Sequence, residues 1–189
     1  MNRWNGCVAV VTGASSGIGA TVVEKLAELG LLVVGLARRV ERVQQLADKL
    51  KDKPGKVYAI RADITKEEDI IQSFKWIKEN LGAVHILVNN AGVIFSTSLI
   101  DGDTKLWKQT LDTNVLGLCI ATREAIRDMR TNDVDGHIIH INSIVGHTVP
   151  NVPNYNVYVA AKYAVTALTE TLRQELRSIN SKIKITVSI

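Results

Sequence analysis

Apolar residues run through this chain in short, nearly unbroken blocks. Longer stretches separate them, in which apolar positions recur every three or four residues. "CVAVVTG" (7–13), "LLVVGLA" (31–37), "KVYAIRA" (56–62), "HILVNN" (85–90), "GHIIHINS" (136–143) and "KIKITVSI" (182–189) read as six strands. Between them, "GIGATVVEKLAELG" (17–30) has helical spacing and a glycine stop, and "ERVQQLADKLK" (41–51) is a helix ended by Pro54-Gly55. "KEEDIIQSFKWIKENLG" (66–82) is an amphipathic helix with acids in its first turn, where they complement the helix dipole. One long helix is expected from Asp103 or Thr104 to about Arg130, and another from about Asn156 to Ile179.

Strands alternating with helices predict βαβ units, and strands apolar on both faces predict a sheet covered by helices on each side. The expected fold class is α/β: a Rossmann-type doubly wound parallel sheet of six strands in the order 3-2-1-4-5-6. No linker, repeat or low-complexity tract interrupts it, so residues 1–189 read as a single nucleotide-binding domain. The sixth strand runs to Ile189 with no crossover after it, and the expectation is a chain incomplete at its C-terminus.

Composition narrows the function classes. Aromatic residues are 5% and hydrophobic residues 46%, which fits a sheet lined by Val, Ile, Leu and Ala. The net charge is +4 and the longest basic run is Arg38-Arg39, so no stripe for nucleic acid is expected, while a phosphate-bearing small molecule would suit the balance. Cys7 and Cys119 are isolated and lack metal-ligand spacing with His85, His137, His140 or His147; they read as buried thiols of a reducing compartment, and no metal is expected. "MNRWNGCVAVVTG" lacks a signal peptide's apolar run, and no stretch approaches the length of a membrane span, so a cytoplasmic protein is expected.

The chemistry is expected at the carboxyl ends of the strands, where open α/β sheets bind ligands. Five strand ends aim polar or glycine-rich segments at one rim: "TGASSGIG", Arg38-Arg39, Asp63-Ile64-Thr65, "NNAG" (89–92) and Ser143. Gly13, Gly17 and Gly19 are spaced G-x-x-x-G-x-G between a strand and a helix, which lets the backbone approach a pyrophosphate at the helix N-terminus. No carboxylate precedes Glu41 after the second strand; arginines stand there instead. A guanidinium binds a 2′-phosphate that a carboxylate would repel, which favours NADP(H) over NAD(H), although Arg39 also reads as a solvated surface charge. Asp63 is placed to accept from an adenine amino group or to cap the helix beginning near Thr65.

Three tyrosines crowd "PNYNVYVAAKYAV", and only Tyr158 has Lys162 four residues on, on the same helix face. An unperturbed phenol titrates near ~10, and a neighbouring ammonium stabilises the phenolate and lowers that value. Tyr158 would then exchange a proton with an alcohol or carbonyl, with Ser143 holding the substrate oxygen. Asn114, in "TNVLG", sits mid-helix where Asn is a poor former; it would distort the helix and bind a relay water, or be an ordinary exposed side chain.

"TGASSGIG", "NNAG", Asn114, Ser143 and "YVAAK", in that order across nearly the whole chain, resemble the short-chain dehydrogenase/reductase family. The resemblance implies a catalytic set of Asn114, Ser143, Tyr158 and Lys162. It implies contacts to NADP(H) from Gly13, Ser15, Ser16, Gly17, Ile18 and Gly19; from Arg38, Arg39, Asp63 and Ile64; and from Asn90, Ala91 and Gly92, with Tyr158 and Lys162. More narrowly, "RWNGCVAVVTGASSGIGA" and "VVGLARRVERV" are similar to the NADP-dependent farnesol dehydrogenase group and its dehydrogenase/reductase relatives. That implies a small apolar alcohol or carbonyl substrate of isoprenoid, retinoid or steroid kind, and a homodimer or homotetramer in the full-length form. Relatives carry a substrate lid and a further strand beyond the sixth, which the resemblance implies are missing here. The alternative reading is a catalytically impaired nucleotide-binding or dimerising fragment of such an enzyme. An epimerase or dehydratase of the family's extended branch, which shares Y-x-x-x-K and acts on a sugar nucleotide, fits the glycine spacing and the chain length less well.

Overall fold

In the computed structural model, residues 4–189 are described; residues 1–3, the start of the stretch read as lacking a leader, lie outside the described residues. The apolar blocks form β1 (Val8–Thr12), β2 (Leu32–Ala37), β3 (Lys56–Arg61), β4 (Val84–Asn89), β5 (His137–Ile141) and β6 (Lys184–Ser188). They pair in parallel in the order β3-β2-β1-β4-β5-β6, as expected.

Alternation along β1 divides the core. Val8 and Val10 face a layer with Ile70, Phe74, Ala121, Met129 and Leu172, contributed by α3 (Glu67–Asn80), α5 (Gly117–Thr131) and α6 (Asn156–Ser178). Ala9 and Val11 face the opposite layer with Val23, Ala27 and Val43, from α1 (Gly17–Glu28) and α2 (Val40–Lys49). β1 is buried throughout. The two edge strands depart from the expectation of full coverage: β3 is half-buried, and β6 alternates exposed with half-buried positions. An edge strand has a neighbour on one side only, so less of it is covered.

The long helix expected over 103–130 is broken. It comprises α4 (Thr104–Leu111), a π-helical segment Asp112–Leu116, and α5. Asn114 lies in the π segment, buried, with its side chain bonded to a loop outside the helix. A π segment inserts extra backbone into a helix, and such segments recur at functional sites. Cys7 and Cys119 are half-buried rather than buried, and burial pushes the Cys119 thiol up. No helix among the described residues is long and apolar enough to cross a membrane, and no cluster of three metal-ligating side chains occurs among them.

Candidate active site

The turn from β1 into α1 is shaped by close approach. Gly13 and Gly17 have φ of 68° and 56°, the left-handed region that glycine enters without strain. A Cβ on Gly13 would come to 2.8 Å from Ala91 Cα, and one on Gly19 would collide with Asn90 Nδ2 and lie 2.5 Å from Gly13 O. These two glycines therefore let the first turn lie against the loop after β4. Asn90 fastens the pair by donating from Nδ2 to the carbonyls of Thr12 (2.9 Å) and Gly13 (3.2 Å).

A cleft of about 280 Å³ opens above this junction, along the carboxyl ends of β1 to β4. It receives Gly13, Ser15, Ser16 and Ile18 from the first turn, and Arg38 and Arg39 from the end of β2. Asp63 and Ile64 reach it from the end of β3, and Asn90, Ala91 and Gly92 from the end of β4. Gly17 and Gly19 do not line it; their part is in the turn and its packing. Arg39 reaches across to donate from Nη2 to Ser16 Oγ at 3.2 Å, so it is engaged at the cleft rather than merely solvated. Asp63 does not cap a helix: its Oδ1 accepts from the N–H (3.1 Å) and hydroxyl (2.8 Å) of Thr65, closing a turn two residues before α3. Ser16, at the α1 N-cap, makes no side-chain cap bond, so the amides of that helix start face the cleft without one. Helix-start amides, two serine hydroxyls and two guanidinium groups together form a donor set that fits the phosphates of a dinucleotide.

Thr12 is a site residue that the sequence reading missed. Its Oγ1 accepts from the N–H groups of Asn90 (3.1 Å) and Ala91 (3.0 Å), which sets the height of the "NNAG" loop. The signal was present: one hydroxyl at the end of an otherwise apolar buried strand needs a partner. Val93 and Thr113 also line the cleft and were not anticipated.

Beside the cleft, α6 brings Tyr158 and Lys162 to one face, with Lys162 Nζ 5.8 Å from the phenol ring centroid. Lys162 is only 7% exposed, and its ammonium donates to the Ile141 carbonyl at 2.9 Å; burial lowers its pKa. Burial raises the Tyr158 phenol, a hydrogen bond with Ser143 opposes that rise, and Tyr155 adds to it. The expectation that the neighbouring Lys162 ammonium lowers the phenol's pKa is therefore corrected. The placement is as expected, but the ammonium is held by a backbone carbonyl, and desolvation of the phenol outweighs what favours its charge. Ser143 stands at the end of β5, where its Oγ also accepts from the Val145 N–H at 3.3 Å. Tyr155 meets Tyr158 edge-on at 6.2 Å, and Tyr163 is exposed.

Asn114 is 2% exposed, which overturns its reading as a surface residue. Its amide pairs with the loop backbone: Oδ1 accepts from the Val93 N–H and Nδ2 donates to the Val93 carbonyl, both at 2.8 Å, which leaves one lone pair and one hydrogen of the amide for a further partner. Asn114 thus holds the loop after β4 against the π segment.

His140, on β5 behind Lys162, went unnoticed as anything more than a non-ligand. It is 1% exposed, with Nδ1 3.0 Å from Thr169 Oγ1 and Nε2 3.3 Å from Thr122 Oγ1. Thr169 gives its hydroxyl hydrogen to the Val165 carbonyl (2.7 Å), so it accepts from Nδ1–H. Thr122 accepts from Asn89 Nδ2 (2.8 Å) and so directs its own hydrogen to Nε2. One neutral tautomer satisfies the chain. Burial, then Lys162, lower its pKa to about 4.

The chain is similar in sequence and fold to known proteins. A farnesol dehydrogenase from Aedes aegypti is 52% identical over 189 residues, covering 98% of this chain and 77% of its own length. Dehydrogenase/reductase SDR family member 11 from Homo sapiens is 47% identical over the same 98% of this chain and 73% of its own. Among solved structures, a short-chain dehydrogenase/reductase from Burkholderia phymatum in complex with NAD superposes with a TM-score of 0.93 at 30% identity, over 99% of this chain and 66% of that one. A metagenomic short-chain oxidoreductase in complex with NADP gives 0.89 at 30% identity, over 97% and 81%. The family described as short chain dehydrogenase matches residues 7–189. With the parallel sheet, the glycine turn and the Ser143, Tyr158 and Lys162 grouping already in place, the chain belongs to the short-chain dehydrogenase/reductase family of oxidoreductases.

Proposed function

We propose that the protein is an NADP-dependent alcohol dehydrogenase or carbonyl reductase acting on a small apolar substrate of isoprenoid, retinoid or steroid kind. The observation that carries this is the meeting of Ser143, Tyr158 and Lys162 beside a cleft rich in phosphate donors. Arg38 and Arg39, both exposed at the end of β2 with no carboxylate beside them, support a 2′-phosphate over a free ribose hydroxyl. The apolar substrate is supported by the likeness to a farnesol dehydrogenase and by exposed Ile94, Ile144, Val149 and Val152 on the loops that follow β4 and β5.

Bound NADP(H) would supply the hydride acceptor or donor and, when oxidised, a positive charge near the phenol. Ser15, Ser16 and the α1 amides would hold its pyrophosphate, and Arg38 and Arg39 its 2′-phosphate. Ser143 orients the substrate oxygen toward Tyr158. Tyr158 gives its proton to a carbonyl oxygen or takes one from an alcohol. Lys162 stabilises the phenolate through space and is fixed for that by Ile141. Asn114 keeps the loop that carries Gly92 and Val93 in position. We further propose a cytoplasmic protein of one domain, a homodimer or homotetramer in its full-length form, with no nucleic-acid partner.

Tyr158→Phe tests the reading. Turnover of farnesol with NADP should fall by a factor of about a thousand or more, while NADPH binding by fluorescence stays within about twofold. Undiminished turnover would remove Tyr158 from the chemistry. NADPH binding without turnover of any alcohol by the unaltered chain would favour the impaired-fragment reading instead.

A further inference from the structure

The loops flanking the Tyr158 phenol are held by a side chain with no part in the reaction so far. Thr97 lies in the loop after β4 and is 9% exposed. Its N–H donates to the Asn154 carbonyl at 3.2 Å, and it pairs with Tyr155 as an isolated parallel bridge. Its hydroxyl donates to Asn156 Oδ1 at 3.0 Å and accepts the indole N–H of Trp107, on α4, at 3.2 Å. Asn156 answers by donating from Nδ2 to the Thr97 carbonyl, and its Oδ1 also accepts from the Val157 N–H. Trp107 is seated in turn on Gly102, where a Cβ would come to 2.9 Å from the indole.

Three segments thus meet at one hydroxyl: the 90–103 loop, α4 that follows it, and, from far along the sequence, the first turn of α6. Tyr155, at the α6 N-cap, makes no side-chain cap bond, so the helix start carrying Tyr158 is tied down through the Asn156 side chain on Thr97. The joined segments carry exposed apolar side chains, Leu99 and Ile100 on the 93–103 loop and Val149 and Val152 on the 144–155 loop; Ile100 is 97% exposed.

We propose that Thr97, Trp107 and Asn156 form a positioning clasp that fixes the gap between the 93–103 and 144–155 loops and the first turn of the Tyr158 helix, and so the alignment of a bulky apolar substrate. Its role in turnover rests on Tyr158 being the proton-transfer group. Removing the Thr97 hydroxyl leaves the half-buried indole N–H without its acceptor and Asn156 Oδ1 without one donor, a loss that water offsets in part.

Thr97→Val and Thr97→Ser in the full chain test this by hydrogen exchange and kinetics. In Thr97→Val, amides in peptides covering 144–158 should exchange about tenfold faster while β1 and β2 are unchanged, and Thr97→Ser should restore protection. In parallel, KM for farnesol should rise about tenfold, KM for 2-propanol should change less than about twofold, and the NADPH Kd should hold. Unchanged exchange over 144–158, or a rise spread evenly over the chain, would overturn the clasp. A failed proton-transfer assignment would show instead as undiminished turnover in Tyr158→Phe, on which the exchange result does not depend.

Discussion

Acidification should destabilise this protein through one buried imidazole. His140 is neutral in the fold with a pKa of about 4, against an ordinary value of 6.5. The unfolded chain therefore takes up a proton across that interval which the folded chain refuses. Stability is flat with pH above ~6.5, falls as pH drops, and levels off below ~4. Integrating between those limits gives a loss of about 2 kcal/mol by about pH 5 and about 3 kcal/mol in all. The groups facing His140 agree in sign. Thr122 and Asn89 reach its Nε2 side from α5 and β4, Thr169 takes Nδ1–H from α6, and the charge that acts on it is the Lys162 ammonium, which repels a second cation. The carboxylates of Glu28 and Glu170 are lowered by their Lys and Arg partners, so their contributions fade below about 4.5, outside the upper part of the window. Urea unfolding at steps between about pH 7 and pH 5 measures the slope, and His140→Gln, neutral throughout, should flatten it. Equal stability at both ends, or the same slope in His140→Gln, would refute the reasoning.

Because burial holds the Tyr158 phenol above its ordinary value, the proton stays on at neutral pH; carbonyl reduction should be insensitive to pH through the neutral range while alcohol oxidation rises toward alkaline pH, read from initial rates in each direction. Gly19→Ala should lose about 1–3 kcal/mol by urea unfolding and weaken NADPH binding, since the new methyl meets Asn90 and the Gly13 carbonyl. Asn114→Leu should cost about 2 kcal/mol or more by leaving both polar groups of Val93 unmatched, with a larger fall in turnover than in NADPH affinity.

The sheet order was legible because each strand is a short apolar block and each connection is long enough for a helix, which leaves few arrangements. The cleft was legible for the same reason: the strand ends are where apolar runs give way to glycine, arginine and asparagine. What stayed hidden depends on partners far away in sequence. The π segment at Asp112–Leu116 has no periodicity of its own to announce it; it follows from Asn114 reaching Val93, twenty-one residues back. Thr97 and His140 were invisible because a threonine in a loop and a histidine in a strand mean little until Trp107, Asn156, Thr122 and Thr169 are folded around them.

The lysine shows how site chemistry and folding share the same groups. A spacing of four residues placed Lys162 beside Tyr158 correctly, but spacing carries no information on which acceptor wins the ammonium. The Ile141 carbonyl wins at 2.9 Å, because a buried cation 5.8 Å from a ring centroid still needs a direct hydrogen-bond acceptor. Ile141 follows His140 on β5, so the residue that holds the lysine is positioned by the strand whose imidazole the lysine helps to keep neutral. One positive charge is accommodated in this seam between β5 and α6, and a second is not. Acid that protonates His140 therefore acts on the carbonyl that fixes Lys162 as well as on the fold. In His140→Gln the seam keeps its single charge, so turnover should survive at about pH 5 to the extent that stability does. Activity lost in that variant while its unfolding curve stays flat would separate the two and place the acid-sensitive group elsewhere.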